Sequence, residues 1–401
     1  MGSAGCLVPA ARGAVKPLAR GAPGGQNLDH IQIGAPMSVN TAPAAPPSPE
    51  PLSAPDLSVA SASVDDVPFT ARGPLSAAVL AALTDPWQPG PGEDVVARAL
   101  AAVDPIRDDD LQLALFALYA SSYGSISAFA PDREWDPVLI RLRRALEARF
   151  ERELRRQVPM PELPAPTADQ VARALFALTG ADTGPSMSRY VAKKATSEQV
   201  REFLMLRSVY TLREADPHSW AIPRLTGRPK AALVEIQADE YGGGRPDRVH
   251  AAIFAASMRG AGLSDVYGVY VDRVPALVLA AHNAMSLFGL NRRLLGAIVG
   301  HLAAFEMTSS LPNRLYGDGM RRLGYGVDVT DYFDEHVEAD AVHEQIAGRD
   351  LAGTLAEDRP GLLPDIMFGA ATCLAVDGWV GAEVLEAWRS GASALLPRSA
   401  A

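Results

Sequence analysis

The segment His336-Val-Glu-Ala-Asp340-Ala-Val-His343 sets two imidazoles and a carboxylate where a metal ion could use them. On a helix these three side chains fall within about 60° of one another and spread over about 10 Å along the axis. One ion could take His336 and Asp340 while His343 reaches a neighbouring ion. A plainer reading competes, because Glu335, Glu338 and Glu344 lie in the same stretch and a polar helix face has the same composition. Thr330 and Asp331 are the expected start signals of this helix.

Other segments add donors at positions where apolar residues would be expected. Glu306 continues the stripe Leu295, Val299, Leu302, and Glu240 continues Leu233, Ile236, Gln237. His250 shares a face with Ile253, Phe254 and Ser257, and Glu214 extends Phe203, Leu206, Tyr210 at the end of a helix that begins at Thr196. A buried carboxylate without a partner costs several kcal/mol, so each of these needs a cation, a metal or a proton. Any one of them alone reads as a paired core residue. Four segments each aiming a carboxylate or imidazole inward, together with the His/Asp/His helix, follow the logic of di-iron sites in helical bundles. About seven oxygen and nitrogen donors with no thiolate suit iron or manganese better than zinc.

The order Glu214 … Glu240-x9-His250 … Glu306 … His336-x3-Asp340-x2-His343 resembles the haem-oxygenase-like di-iron oxidases, the iron-containing redox enzymes. The resemblance spans about 200 to 395 and includes Glu214-Ala-Asp-Pro-His218, the glycine-rich stretch from Asp239 to His250, and the closing helix from Asp365 through Trp388. It implies a haem-oxygenase-like bundle that binds no haem and assembles two irons to activate O2. By that analogy Glu240, His250, Glu306, His336, Asp340 and His343 are the core ligands. Glu214 matches an extra carboxylate that the N-oxygenases of the family use and the C–C-cleaving members lack. The resemblance therefore implies N-oxygenation of a small amine or amino-acid-like substrate. Oxidative C–C cleavage, decarboxylation or desaturation at the same site is the alternative, and a non-enzymatic iron-binding protein is a second. A haem-handling protein would need a proximal histidine early in the bundle, and none lies between Thr167 and His218.

The remaining histidines read differently. His218 lies four residues after Glu214, beyond Pro217, and suits a partner of a ligand, a cap or the surface. His282 and His301 sit in apolar segments and read as hydrogen-bonded core residues, while Asp239 reads as solvated with Glu235. Gly242–Gly244 are no phosphate loop, since no Lys-Ser/Thr follows. They are expected to break the helix so that Glu240 and His250 can face one site.

The elements that must position these residues are helical throughout. The 401-residue chain is 48% hydrophobic and 21% charged, enough to bury a core, and its net charge of −10 argues against coating nucleic acid. Two cysteines, Cys6 and Cys373, make neither a disulfide framework nor a zinc ribbon. No unbroken apolar run of membrane-spanning length and no signal-peptide core appears, so a cytoplasmic protein with no membrane partner is expected. Residues 1–66 hold 10 Pro and 7 Gly and read as a disordered tail, with Met37 a candidate native start. Helical signals follow: Pro74 at a first turn, Asp108–Asp110 at another, Pro137 opening a helix to about Val158, and capping boxes at Thr167/Gln170 and Thr196/Gln199. No alternating strand pattern appears. The expectation is an all-α protein: a tail over 1–66, an N-terminal helical part over 70–160 and a di-iron bundle over 165–395. Tyr119, Tyr123, Phe129 and Trp135 could pack over the bundle or form a homodimer surface; the electron donor is not legible.

Overall fold

The computed structural model describes residues 67, 69–181 and 186–397, without the side chains of 338–341. The readings of residues 1–66 and of Met37 fall outside the described residues. In chain order the helices are α1 (Pro74–Thr84), α2 (Glu93–Leu100), α3 (Asp109–Tyr123), α4 (Pro137–Gln157), α5 (Ala168–Gly180), α6 (Met187–Lys193), α7 (Ser197–Thr211), α8 (Asp216–Ser219) and α9 (Gly227–Glu240). They continue as α10 (His250–Gly260), α11 (Ala276–Leu290), α12 (Leu295–Met307), α13 (Ser310–Arg322), α14 (Val327–Gln345), α15 (Thr354–Asp358) and α16 (Leu363–Arg389). No strand occurs among the described residues, and the fold is an all-α bundle.

Local chemistry fixes the helix starts. Asp108 caps α3 by accepting from Leu111 N at 2.8 Å. Its neighbour Asp110 caps a different helix, accepting from Leu75 N and Ser76 N of α1 at 2.9 and 2.7 Å. The Thr196/Gln199 box is complete, whereas at Thr167 only the bond from Gln170 N is made. One start differs from the sequence reading. Helix α14 begins at Val327, one turn before Thr330, because Gly324 turns the chain at φ 87° and Asp328 already supplies the first-turn negative charge. Thr330 is consequently buried inside the helix. At its other end α14 runs without a break into a π-helical segment, Ile346–Gly353. Such wide turns are rare and cluster at functional sites.

The bundle core is built on the crossing of α12 and α16. A Cβ on Gly300 would lie 1.8 Å from the Ile366 carbonyl oxygen, and one on Gly369 would lie 1.9 Å from that of Ala297. The two backbones therefore touch, and only glycine permits it. Helix α16 is long and apolar enough to cross a bilayer by length and composition alone, but 56% of its apolar window is buried inside the protein. That is the signature of a core helix as much as of a span.

The N-terminal helices lie against this core. Asn283 of α11 donates to Gln112 Oε1 of α3 at 2.7 Å, and Tyr123 donates to Ser286 at 3.1 Å. Arg155 of α4 reaches Asp365 of α16 at 2.8 Å. Tyr119 and Phe129 are core residues, but Trp135 is 73% exposed and does not pack over the bundle.

Candidate metal centre

Six of the seven side chains expected to hold metal meet in the bundle interior. The seventh, Asp340, sits on α14 between His336 and His343, and its side chain lies outside the described residues. Glu214, Glu240, His250 and His336 form one group and Glu240, Glu306 and His343 a second; within each group the donor atoms lie within 4.8 Å of one another, and all six residues are buried. Glu240 belongs to both.

Each donor arrives by a different local device. Glu306 stands near the end of α12 on the buried stripe of Leu295, Val299 and Leu302. Glu240 is the last residue of α9, and His250 the first of α10. Between them Gly242, Gly243 and Gly244 all take positive φ, and a Cβ on Gly242 would lie 2.6 Å from the backbone of Arg248 and Val249. The chain folds back on itself there, which brings the two donors to one place as expected.

Glu214 is not on a helix, contrary to the sequence reading. Helix α7 stops at Thr211, and Glu214 lies in the turn that follows. The next residue, Ala215, has φ 71°, and is the one non-glycine residue in that region among those described. Such a conformation costs about 1–2 kcal/mol and persists only where its surroundings hold it. Here they do. The Ala215 carbonyl accepts from Gln237 Nε2 at 3.0 Å, and the Pro217 carbonyl is seated where a Cβ on Gly289 would come within 2.4 Å.

The imidazoles are oriented by second partners. His336 Nδ1 lies 2.7 Å from the Tyr332 carbonyl. A carbonyl only accepts, so Nδ1 carries the proton and Nε2 turns its lone pair to the cluster, 3.8 Å from Glu214 Oε2. His343 Nε2 meets Asp239 Oδ2 at 3.1 Å, which leaves Nδ1 toward Glu306 Oε2 at 3.3 Å and Glu240 Oε1 at 3.9 Å. His250 Nδ1 is 2.9 Å from Glu240 Oε2 yet makes no hydrogen bond of acceptable angle. Two ligands of one ion approach in that way.

Burial raises Glu214 to about 8, assisted by the Glu240 charge, and burial also raises Glu306. Burial opposes the Glu240 charge too, but His250, His336 and His343 outweigh it and hold that carboxyl below its usual range. Burial, with His250 beside it, lowers His336 to about 4. His343 goes the other way, to about 9, because Glu306, Asp239 and Glu240 overcome its burial. No lysine or arginine forms an ion pair with Glu214, Glu240 or Glu306 among the described residues; their ion-pair partners are histidines. Buried carboxylate oxygens and imidazole nitrogens without a thiolate fit iron or manganese. Cys373, on α16, is in neither group.

Residues 201–378 match the iron-containing redox enzyme family. The match contains every expected ligand and makes this region that of an oxidoreductase. The iron-containing redox enzyme region ends within α16 and leaves α1 to α6 outside it. No curated protein matches the chain.

Sequence reasoning missed several neighbours of the cluster. The Tyr332 hydroxyl donates to Glu214, 2.8 Å from each carboxylate oxygen. Its position one turn before His336 was the available signal. Asp239 is exposed, as expected, yet its carboxylate reaches His343, because α9 ends there and its last turn faces α14. His218 is neither cap nor surface: it is buried, with Nε2 3.3 Å from His301 Nδ1. That pairing fulfils the expectation for His301. His282 is likewise a buried core residue in neither donor group, although its Nδ1 has no hydrogen-bond partner. Beside the cluster opens a narrow recess, lined among others by Tyr210, Glu214, His218, Gln237, Glu306 and His336.

Proposed function

We propose that the protein is an O2-dependent non-haem di-iron oxidase or oxygenase acting on a small molecule. One observation carries the reading: two donor groups, each able to surround one cation, share the single carboxylate of Glu240. Glu214, Glu240, His250 and His336 would hold one iron; Glu240, Glu306 and His343 would hold the other, with Asp340 assigned to the set by resemblance. Bound ferrous ions would supply the electrons that reduce O2.

The residues of the chain do the rest. Tyr332 holds the Glu214 carboxylate and can return a proton to it as its charge changes. The Tyr332 carbonyl and Asp239 fix which nitrogen His336 and His343 offer. The buried walls around Glu306 and His336 limit water at the cluster.

Within this class we favour N-oxygenation of an amine or amino-acid-like substrate, on the presence of Glu214 in the first group. Anaerobic iron titration followed by Mössbauer spectroscopy tests the centre, with about two irons per chain expected and one or none sinking it. O2 uptake across a panel of amines and fatty or amino acids tests the reaction. A hydroxylamine or nitro product supports the N-oxygenase; an alkene and CO2 point to C–C cleavage. Iron uptake with no substrate-triggered O2 consumption points to an iron-binding protein.

A further inference from the structure

Gln237 sits one turn before Glu240 on α9, is 3% exposed and lines the recess beside the cluster. Its Nε2 is committed: it donates to the Ala215 carbonyl at 3.0 Å and lies 2.9 Å from Ser219 Oγ. A carbonyl cannot donate, so the amide cannot be flipped, and the other end must be the oxygen. That oxygen, Oε1, is buried and has no partner in the protein. A buried acceptor left unpaired costs about 1–3 kcal/mol. The amide is also held unusually firmly. Ser219 Oγ lies 2.9 Å from the Tyr241 hydroxyl, which donates to Asp216 at 2.9 Å. The Ala215 carbonyl it grips belongs to the strained turn that presents Glu214.

We infer that Gln237 is a specificity-determining residue, whose Oε1 accepts a hydrogen bond from the head group of the substrate and so selects N–H donors over groups that only accept. The recess around it is rich in acceptors: the carboxylates of Glu214, Glu240 and Glu306 line it as well. Glu214 is set by the same turn that Gln237 clamps. One residue therefore registers the donor group of the substrate against the donor set of the metal. This inference rests on the metal-centre reading for its function, and on hydrogen-bond accounting for its chemistry.

The test loads the full chain with Mn(II), whose paramagnetism relaxes nearby protons, and titrates ethylammonium and acetonitrile. The two probes have the same number of heavy atoms, but only the first donates a hydrogen bond. Ethylammonium relaxation is expected to saturate, and Gln237→Leu is expected to weaken its Kd about 10-fold with Mn(II) per chain unchanged. Acetonitrile should respond equally to both proteins. Equal ethylammonium Kd values would overturn the inference, because Oε1 would then be satisfied by water, or binding would be a matter of charge alone. Ser219→Ala removes one anchor of Nε2 and tests the point if Gln237→Leu does not fold. It should weaken ethylammonium about 2- to 3-fold and leave acetonitrile alone, and no change would count against the inference. The same titrations are read by calorimetry. A chain that takes up neither Mn(II) nor Fe(II) then sinks the metal-centre reading, while the calorimetric Kd values still decide the role of Gln237.

Discussion

Glu151 and Glu153 of the N-terminal helix α4 and the carboxylates of the bundle interior are all buried, and the two sets solve the problem in opposite ways. On α4, Glu151 pairs with Arg155 at 3.0 Å and with Arg293, and Glu153 pairs with Arg149 at 2.9 Å and with Arg156. Although burial opposes it, these guanidiniums hold Glu151 below its ordinary range, and Arg156 above all takes Glu153 to about 2. In the bundle Glu214 and Glu306 go upward, because burial dominates and the cations that oppose it, His250 and Arg207 for Glu214 and His343 for Glu306, offset it only in part. Buried acids matched by arginine are structural. Buried acids gathered around imidazoles are poised for a cation that the chain does not itself supply.

The largest break in this comparison comes from Glu240, the carboxylate common to both donor groups. Glu240→Ala is expected to reduce bound iron from about two ions per chain to near zero, read by anaerobic titration. Loss of one ion only would mean that the two groups are independent sites.

A second prediction reverses sign between the regions. Glu151→Gln strips its two arginines of their counter-charge and should destabilise the protein by about 1–3 kcal/mol. Glu306→Gln in metal-free protein removes an acid that burial already penalises, so the metal-free Tm should hold or rise. Iron-loaded protein should respond in the opposite direction, since the variant lacks a ligand. Calorimetric melting of both variants with and without iron checks this. A fall in Tm for metal-free Glu306→Gln would erase the distinction between the regions.

What could be read from the sequence follows the same division. Residues that repeat with a helix, such as Glu306 on its apolar stripe or His336 and His343 on one face, were legible because periodicity fixes their direction. Glu214 was legible as a donor but not in its position: a non-glycine left-handed residue at Ala215 has no sequence signature, and only packing against Gly289 and Gln237 sustains it. Partners from other segments, such as Asp239 for His343, were hidden because they depend on which helix ends meet. The arginine pairing of Glu151 through Arg293 spans 142 residues and was hidden for the same reason.

Asp239→Asn offers a smaller, sharper test of the bundle. The variant keeps a hydrogen-bond acceptor for His343 Nε2 but removes the charge that polarises the ring. Partners of this kind are worth about 10- to 100-fold in metal affinity. Competitive Fe(II) titration should show that loss with Asp239→Asn and none with Glu235→Gln, one turn earlier on α9. Equal affinities would return Asp239 to the solvated surface.

The smallest effect is a pH dependence confined to α4. Glu153 has a folded pKa of about 2, below the ordinary carboxylate value, and its causes are led by the hydrogen bond from Arg156. A depressed folded pKa means that the unfolded chain binds the proton more readily. The stabilisation from Glu153 is therefore fully present above about pH 4.5 and is lost as pH falls through about 2. Glu153→Gln has no such proton to bind. The difference in urea midpoint between wild type and Glu153→Gln should be constant from pH 7 to 5 and shrink between about pH 4.5 and 2. Arg156 is largely solvent-exposed, so the difference is small and salt should weaken it. A difference that stays constant down to pH 2 would mean that the arginines hold Glu153 by shape alone. The contrast with the bundle would then rest on Glu151.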